Sequence, residues 1–511
     1  MRTAIVFILA LSASIASGSD RPNIVIILAD DFGVGNIQAH YPDNKIATPH
    51  LDKLSTESMR FTDAHSGSAV CTPTRYGLLT GRYAWRTRLQ EWVLACYEPP
   101  LIAEERLTLP EMLQDQGYST ACIGKWHLGW NWAGPQPSTM EEVSNILRTK
   151  QWDYTKPMAD GPTTRGFDYY FGTHVPNFPP FTFIKNDRLV EQPTARFEYN
   201  RADGTFMPQQ FDDNPMAPGW EFDQILPTIT RKAVEYIHEQ ADEEQPFFLY
   251  FPMTSPHTPL VPSDEFKGKS GIALVADFIM ETDWSVGQLL KALDDTGNTN
   301  DTLVIFTSDN GHLPQEWDLL TAAGHRPSGN YRGRKADIWE GGHRVPFMVR
   351  WPGKVEAGKE SDDLLSLNDV FATCADLLGT DLESDVAEDS LSFLSTLVET
   401  TDRSHRKSIV AHSVGGEFAY IEDGWKLVYR NQHANRNECR GDPRIVELYH
   451  LANDLSESRN LVAQEPEKLA YLDGRLRETV SRGSSRPGAQ SANDTNVVID
   501  VTQSLRWAPP R

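Results

Sequence analysis

Four short apolar runs stand out along the chain, and each stops abruptly at polar residues. Asn23–Ala29 is apolar almost throughout, is β-branched at Ile24, Val25, Ile26 and Ile27, and ends in Asp30-Asp31 followed by Gly33 and Gly35. Residues 118–123 end in Gly124-Lys125-Trp126-His127. Residues 247–251 run into a loop holding His257, and residues 302–307 end in Ser308-Asp309-Asn310-Gly311. Apolar runs of this length without polar alternation predict strands buried on both faces, as in a parallel sheet.

Between these runs the apolar spacing changes to the helical period. Helices are predicted over residues 109–116, closed by Gly117, over 229–240 and over 272–293, each just before a strand. Helix alternating with buried strand implies an α/β fold, a large mixed and mostly parallel sheet flanked by helices. Such sheets bind ligands beyond the carboxyl ends of their strands. Every strand predicted here carries chemically capable residues at that end. The Pro- and Gly-rich stretches 131–180 and 200–220 are predicted as long loops over the site.

Beyond about residue 381 the pattern shifts to short strands at 408–412, 418–422 and 425–429, with Asp423-Gly424 as a hairpin turn, and then a helix over 466–480. This predicts a smaller C-terminal antiparallel sheet plus helix. The expected organisation is a signal segment at 1–18, a catalytic domain at 19–380, an α+β subdomain at 381–481 and a loosely packed tail at 482–511.

Composition narrows the function. A chain of 511 residues suffices for one large domain and a smaller one. Its charge of −23 disfavours nucleic-acid binding, since no basic stripe is present to displace counterions. An anionic substrate would need a local basic pocket. Met1-Arg2, the apolar stretch from Ala4 to Leu11 and the small residues that follow form an export signal too short to span a bilayer. With no other membrane-length apolar stretch, the mature protein is expected to be exported, periplasmic or extracellular, or lysosomal or secreted if eukaryotic. Setting Cys71 aside, Cys96, Cys122, Cys374 and Cys439 remain, show no CxxC spacing, and leave every disulfide pairing open.

Two carboxylates at one strand tip, with Asp309 and Asn310 at another, make an all-oxygen cluster suited to a hard cation. Arg75, Lys125, His127, His257 and Lys335 supply the positive charge that the chain otherwise lacks. The segment from Ser68 to Arg82 reads as a loop entering a helix, with Cys71 near the helix N-terminus, where anions are favoured.

These residues fall into an ordered set of motifs. Cys71-Thr72-Pro73-Thr74-Arg75 is followed by Leu79-Thr80-Gly81-Arg82, then by Gly124-Lys125-Trp126-His127-Leu128-Gly129, Ser255-Pro256-His257-Thr258-Pro259 and Ser308-Asp309-Asn310-Gly311. A last block carries Lys335 and Glu340-Gly341-Gly342-His343-Arg344-Val345-Pro346. Together, from Asn23 to about Leu461, they resemble the type I, formylglycine-dependent sulfatases of the alkaline phosphatase superfamily. The resemblance implies an alkaline phosphatase-like fold and hydrolysis of sulfate esters, on a sulfated carbohydrate or an aryl sulfate. It implies that a formylglycine-generating enzyme oxidises Cys71 to 3-oxoalanine, whose hydrate attacks sulfur and passes through a sulfo-enzyme intermediate. It further implies one Ca²⁺ (Mg²⁺ as second choice) held by Asp30, Asp31, Cys71, Asp309 and Asn310. Arg75, Lys125 and Lys335 would then hold nucleophile and sulfate, His257 would protonate the leaving oxygen, and His127 would take the proton whose loss expels sulfate.

Thr74 stands where serine is more usual, and His450 and Leu455 where Asp and Pro are common. His174 and Asn177 are candidates, by location only, for a further sulfate contact. Residues 131–180, 200–220 and 312–330, the last including His325 and Arg326, are expected to read the organic part of the substrate. Two other readings use the same residues: a phosphonate or phosphodiester hydrolase, and a sulfated-glycan binding protein if Cys71 is not matured.

Overall fold

The structure, a computed structural model, describes residues 21–137, 142, 152–398, 406–433, 441–489 and 491–502. The export signal expected at the amino terminus lies outside the described residues. Ten strands form the main sheet. At its centre Asn23–Ala29 lies between Phe247–Pro252 and Thr302–Ser308, parallel to both. Ser119–Lys125 and then Tyr169–Thr173 extend the parallel part beyond Phe247–Pro252. On the other side Phe347–Arg350 pairs antiparallel with Thr302–Ser308, which makes the sheet mixed.

The pleat sorts the central strand between two cores. Ile24, Ile26 and Leu28 face Leu78 and Leu79 of the Cys71–Thr80 helix, Met112 and Leu113 of the Leu109–Asp115 helix, and Phe371 of the Asp369–Leu377 helix. Val25 and Ile27 face Ile229, Ala233 and Ile237 of the Ile225–Gln240 helix, with Val275, Ile279 and Val286 of the Leu274–Asp295 helix. Both faces of the strand are therefore dry. That explains the unbroken apolar run, because no position is left for a polar side chain.

Parallel alignment turns the carboxyl ends of Asn23–Ala29, Ser119–Lys125, Phe247–Pro252 and Thr302–Ser308 to the same edge. Asp30, Lys125, the His257 loop and Asp309 consequently emerge side by side.

Four strands, Ser408–His412, Phe418–Glu422, Trp425–Arg430 and Ile445–His450, form a separate antiparallel sheet, against which the Pro466–Ser481 helix packs through Leu472 and Leu476. The last of these strands was not anticipated as one.

Two expectations are corrected, and a question the sequence left open, the state of the cysteines, is answered in part. Tyr169–Thr173 is a strand, not loop: its aromatic run pairs with Ser119–Lys125 and was hidden among flanking prolines and glycines. The described part of the tail does not pack loosely, since Arg82 reaches Asp494 at 2.9 Å and Arg86 reaches Asn493 Oδ1 at 2.9 Å. Cys96, Cys122 and Cys374 are buried free thiols, so no disulfide joins them, and Cys439 lies outside the described residues. Each of the three sits in the apolar interior, where cysteine serves as a small apolar side chain.

Candidate active site

Cys71 is the first residue of a ten-residue helix whose N-cap, Val70, offers no side-chain acceptor. The free N–H groups of that first turn favour negative charge. The loop entering the helix is braced from several directions. Thr74 Oγ1 donates to Ser68 O at 3.0 Å, so the threonine hydroxyl does the local work of a serine. The Ala69 N–H donates to His412 O, from the C-terminal sheet, and Ala69 O accepts from Ala336 N.

Around Cys71 the strand tips interlock. Its Sγ lies 3.7 Å from Asp30 Oδ1. Lys125 Nζ donates to Asp30 Oδ2 at 2.7 Å, and Lys335 Nζ donates to Asp31 Oδ2 at 2.7 Å. Arg75 donates through Nη2 to Asp309 Oδ2 at 2.8 Å and through Nη1 to the Lys125 carbonyl at 3.0 Å. Asp309 Oδ1 accepts from the Asp31 N–H at 3.1 Å. Asn310 Nδ2 donates to Asp31 Oδ1 at 2.7 Å, and Asn310 Oδ1 is buried with no hydrogen-bond partner among the described residues. His257 Nε2 lies 3.9 Å from Asp31 Oδ2. The sequence therefore brings all ten of its predicted site residues to one sheet edge.

One close approach holds the last block in place. A Cβ on Gly311 would fall 1.8 Å from the Gly341 carbonyl, so only glycine lets the Asp309-Asn310 tip lie against Gly341-Gly342. The Gly311 N–H donates to Gly342 O at 2.9 Å across this contact.

The two histidines are fixed in opposite tautomers. A carbonyl can only accept, so His127 Nε2, 3.0 Å from Leu94 O, carries the proton and leaves Nδ1 as a free lone pair. His257 Nδ1 donates to Thr258 O at 2.6 Å, leaving Nε2 toward Asp31. Burial, then Lys125, pushes His127 far below the usual imidazole range, and burial with Lys335 does the same to His257. Both rings are neutral at ordinary pH.

Burial pushes Asp31 up to about 6 despite Lys335, with Asp30 and Asp309 adding repulsion. Burial opposes ionisation of Asp30 too, but Lys125, Arg75 and Lys335 outweigh it and hold that carboxyl below its ordinary value. Burial raises the Cys71 thiol to about 12, so the unmodified side chain is a protonated, poor nucleophile at neutral pH.

Candidate ligand atoms of Asp30, Asp31, Cys71 and His257 all lie within 4.8 Å of one another. Two of these four donors are carboxylate oxygens, Asp309 adds a third carboxylate beside them, and the orphaned Asn310 oxygen is a buried acceptor in want of a positive partner. A hard divalent cation fits both facts.

A profile of the sulfatase family matches residues 22–380. The chain belongs to the sulfatase family. It is a sulfuric ester hydrolase. An N-acetylgalactosamine-6-O-sulfatase of Bacteroides thetaiotaomicron is 33% identical to it, over 91% of this chain and 94% of that protein. Human steryl-sulfatase is 32% identical over 76% and 71%. A solved structure described in terms of glycosaminoglycan metabolism by B. thetaiotaomicron superposes with a TM-score of 0.78 at 31% identity, covering 90% of this chain and 99% of that one.

The sulfatase's Cys71 opens into a cleft of about 410 Å³ that Asp31, His127, His257 and Lys335 also line. The three expected loops contribute Asn177 and Phe178, Gln210 and Phe211, and Pro314 and Gln315. His325 and Arg326 are not in the lining: His325 is buried against Asn36 Oδ1 at 2.9 Å, and Arg326 bonds Asn330. His174 packs edge-on to His127, 5.7 Å between ring centroids, outside the cleft lining. Sequence reasoning missed the segment Trp92-Val93-Leu94-Ala95, whose Leu94 carbonyl orients His127. That segment has no motif, and a carbonyl leaves no mark in a sequence.

Proposed function

We propose that this sulfatase cleaves its ester through formylglycine at position 71, with calcium bound beside it, and that its substrate is a sulfated carbohydrate. The observation that carries the reading is the charge balance around Cys71. Asp30, Asp31 and Asp309 face Arg75, Lys125 and Lys335, three negative charges against three positive. A divalent cation added to that neutral set leaves a surplus of two positive charges, enough to hold sulfate inside a chain of net charge −23. This is the local basic pocket that the acidic composition demands.

Asp30, Asp31, Asp309 and Asn310, with the oxidised Cys71 side chain, would hold the ion, which supplies Lewis-acid activation of oxygen next to sulfur. Oxidation of Cys71 supplies a hydrated aldehyde with one hydroxyl to attack sulfur and a second through which sulfate is released. Both oxygens attach to Cβ, one of them in about the place that Sγ holds now.

The chain's other residues have separable tasks. Arg75 ties Asp309 to the Lys125 backbone and fixes the helix that presents position 71. Lys125 and Lys335 offer the sulfate oxygens charge that is already paired, so they need little reorganisation as charge builds. His257 donates a proton to the leaving oxygen; its low basicity beside Lys335 and Lys125 rises once a bound anion offsets those two cations. His127, held as the Nε2–H tautomer, accepts a proton at Nδ1. The name of the bacterial relative, an N-acetylgalactosamine-6-O-sulfatase, supports a sugar ester. Export through the amino-terminal signal and maturation by a formylglycine-generating enzyme belong to the same proposal.

The test uses protein co-expressed with that maturation enzyme. The mass of the peptide holding Cys71 is expected to show the aldehyde, and an aryl sulfate to turn over faster than an aryl phosphate diester. Cys71→Ser is expected to bind substrate, retain one sulfo group on serine and stop, because an ester without a geminal hydroxyl cannot collapse. Repeated turnover by that variant at the wild-type rate would sink the mechanism.

A further inference from the structure

We propose that the outer part of the cleft is a subsite for an electrically neutral ring, so that the preferred substrate carries one anionic group, the sulfate ester itself, and that Asn177 reads a polar substituent of that ring. The inference rests on the sulfatase reading of the site and adds what the other end of the substrate must be.

Asn177 is 8% exposed and lines the cleft; its Oδ1 is turned inward with no hydrogen-bond partner among the described residues, so exchange of the amide's two ends by rotation about Cβ–Cγ offers that oxygen to the cleft. A buried carbonyl oxygen without a donor is costly to keep, and it asks for a ligand N–H or O–H. Beside it Phe178 and Phe211 meet at 5.5 Å between centroids, and Phe178 packs edge-on to His127 at 5.7 Å. A sugar ring has an apolar face for such a wall and a rim of donors for Asn177. The other polar side chains of the lining that carry no titratable group are the amides of Gln210 and Gln315 and the Thr258 hydroxyl, again uncharged.

The charged or titratable groups in the lining, Asp31, Cys71, His127, His257 and Lys335, all sit at the sulfate end. Lys335 is committed to Asp31 at 2.7 Å. Among the described residues the lining therefore holds no cation for a second sulfate or a carboxylate on the same ring. The net charge of −23 works against a second anion as well.

The probe is N-acetylgalactosamine 6-sulfate, compared with the same sugar carrying a second sulfate at O4 and with 4-nitrophenyl sulfate, all on enzyme matured at position 71. The wild type is expected to show kcat/KM at least about tenfold lower on the disulfated sugar, with the gap narrowing as salt rises. Asn177→Ala is expected to lower the ratio of kcat/KM on the monosulfated sugar to that on the aryl sulfate by about tenfold. Gln210→Lys, at an exposed position, is expected to raise the disulfated-to-monosulfated ratio about three- to fivefold. Equal or better use of the disulfated sugar by the wild type, or an Asn177→Ala loss equal on sugar and aryl ester, would overturn the proposal. Failure on all three sulfates would instead overturn the sulfatase mechanism, and the subsite with it.

Discussion

Lys335 Nζ sits 2.7 Å from Asp31 Oδ2, although the two residues stand 304 positions apart. The side chain is partly buried, and the loss of water opposes its charge, yet Asp31 together with Cys71 and Asp30 drives its pKa above the ordinary lysine value. It therefore stays protonated at any working pH and can meet a sulfate oxygen without a proton first being taken up. Lys335→Met is expected to lower kcat/KM by about 10²–10³, the usual cost of one preorganised donor. Steady-state kinetics on an aryl sulfate checks it, and a loss below threefold would remove Lys335 from the reaction.

Metal removal should have a pH signature. Without an ion, Asp31 titrates at about 6 in the folded chain against an ordinary 3.8. A carboxyl raised on folding contributes stability that is present below its unfolded pKa and is lost as pH rises through the folded one. The metal-loaded form needs Asp31 ionised, so its stability runs the other way. The difference in Tm between calcium-loaded and chelator-treated enzyme is expected to widen between pH 5 and pH 7. A difference that stays constant over that range would contradict a calcium site built on Asp31.

Lys426 is a buried cation outside the catalytic cluster. Its Nζ lies 2.9 Å from Glu340 Oε1 and 2.7 Å from Glu457 Oε1, tying the C-terminal sheet to the block that carries Lys335. Lys426→Met would leave Glu457 without its cation and Glu340 with Arg344 alone, and the expected loss is about 3–5 kcal/mol in denaturant unfolding. Lys426→Met combined with Glu340→Gln should recover part of it. A single variant as stable as the wild type would show that the pair carries no structural weight.

Truncation after Arg482 probes the tail. Arg82 is buried and bonds Asp494 and Ala492 O, while Arg86 bonds Asn493 Oδ1. Removing the tail leaves both guanidinium groups short of acceptors, at about 1–3 kcal/mol for each unmet group. Thermal unfolding of the shortened chain is expected several degrees below that of the full one. An unchanged midpoint would mean the tail is dispensable to the fold.

Much of the site was legible before any fold was known, for reasons that differ by residue. Asp30 and Asp309 were found because each follows a run so apolar that a charge at its end demands explanation. Lys125 and His127 were found in the same way. Asn177 was only a guess by location, since nothing in the 131–180 stretch marks one amide over another. Its role as an unpaired acceptor depends on which neighbours fail to reach it. His325 was expected near the substrate and instead supports Asn36, because a histidine in a loop can turn inward as readily as outward.

The sequence by itself determined the four parallel strands that carry the site, the helices that alternate with them and the chemical inventory of the site. Periodicity and motif are local properties, and each residue carries them wherever the chain folds. Only the tertiary structure decided which cation meets which carboxylate, that Leu94 fixes the His127 tautomer, and that the tail closes over Arg82 and Arg86. Those pairings join groups far apart in the chain. They follow from the order in which a sheet lays its strands side by side and from backbone carbonyls that every residue possesses alike.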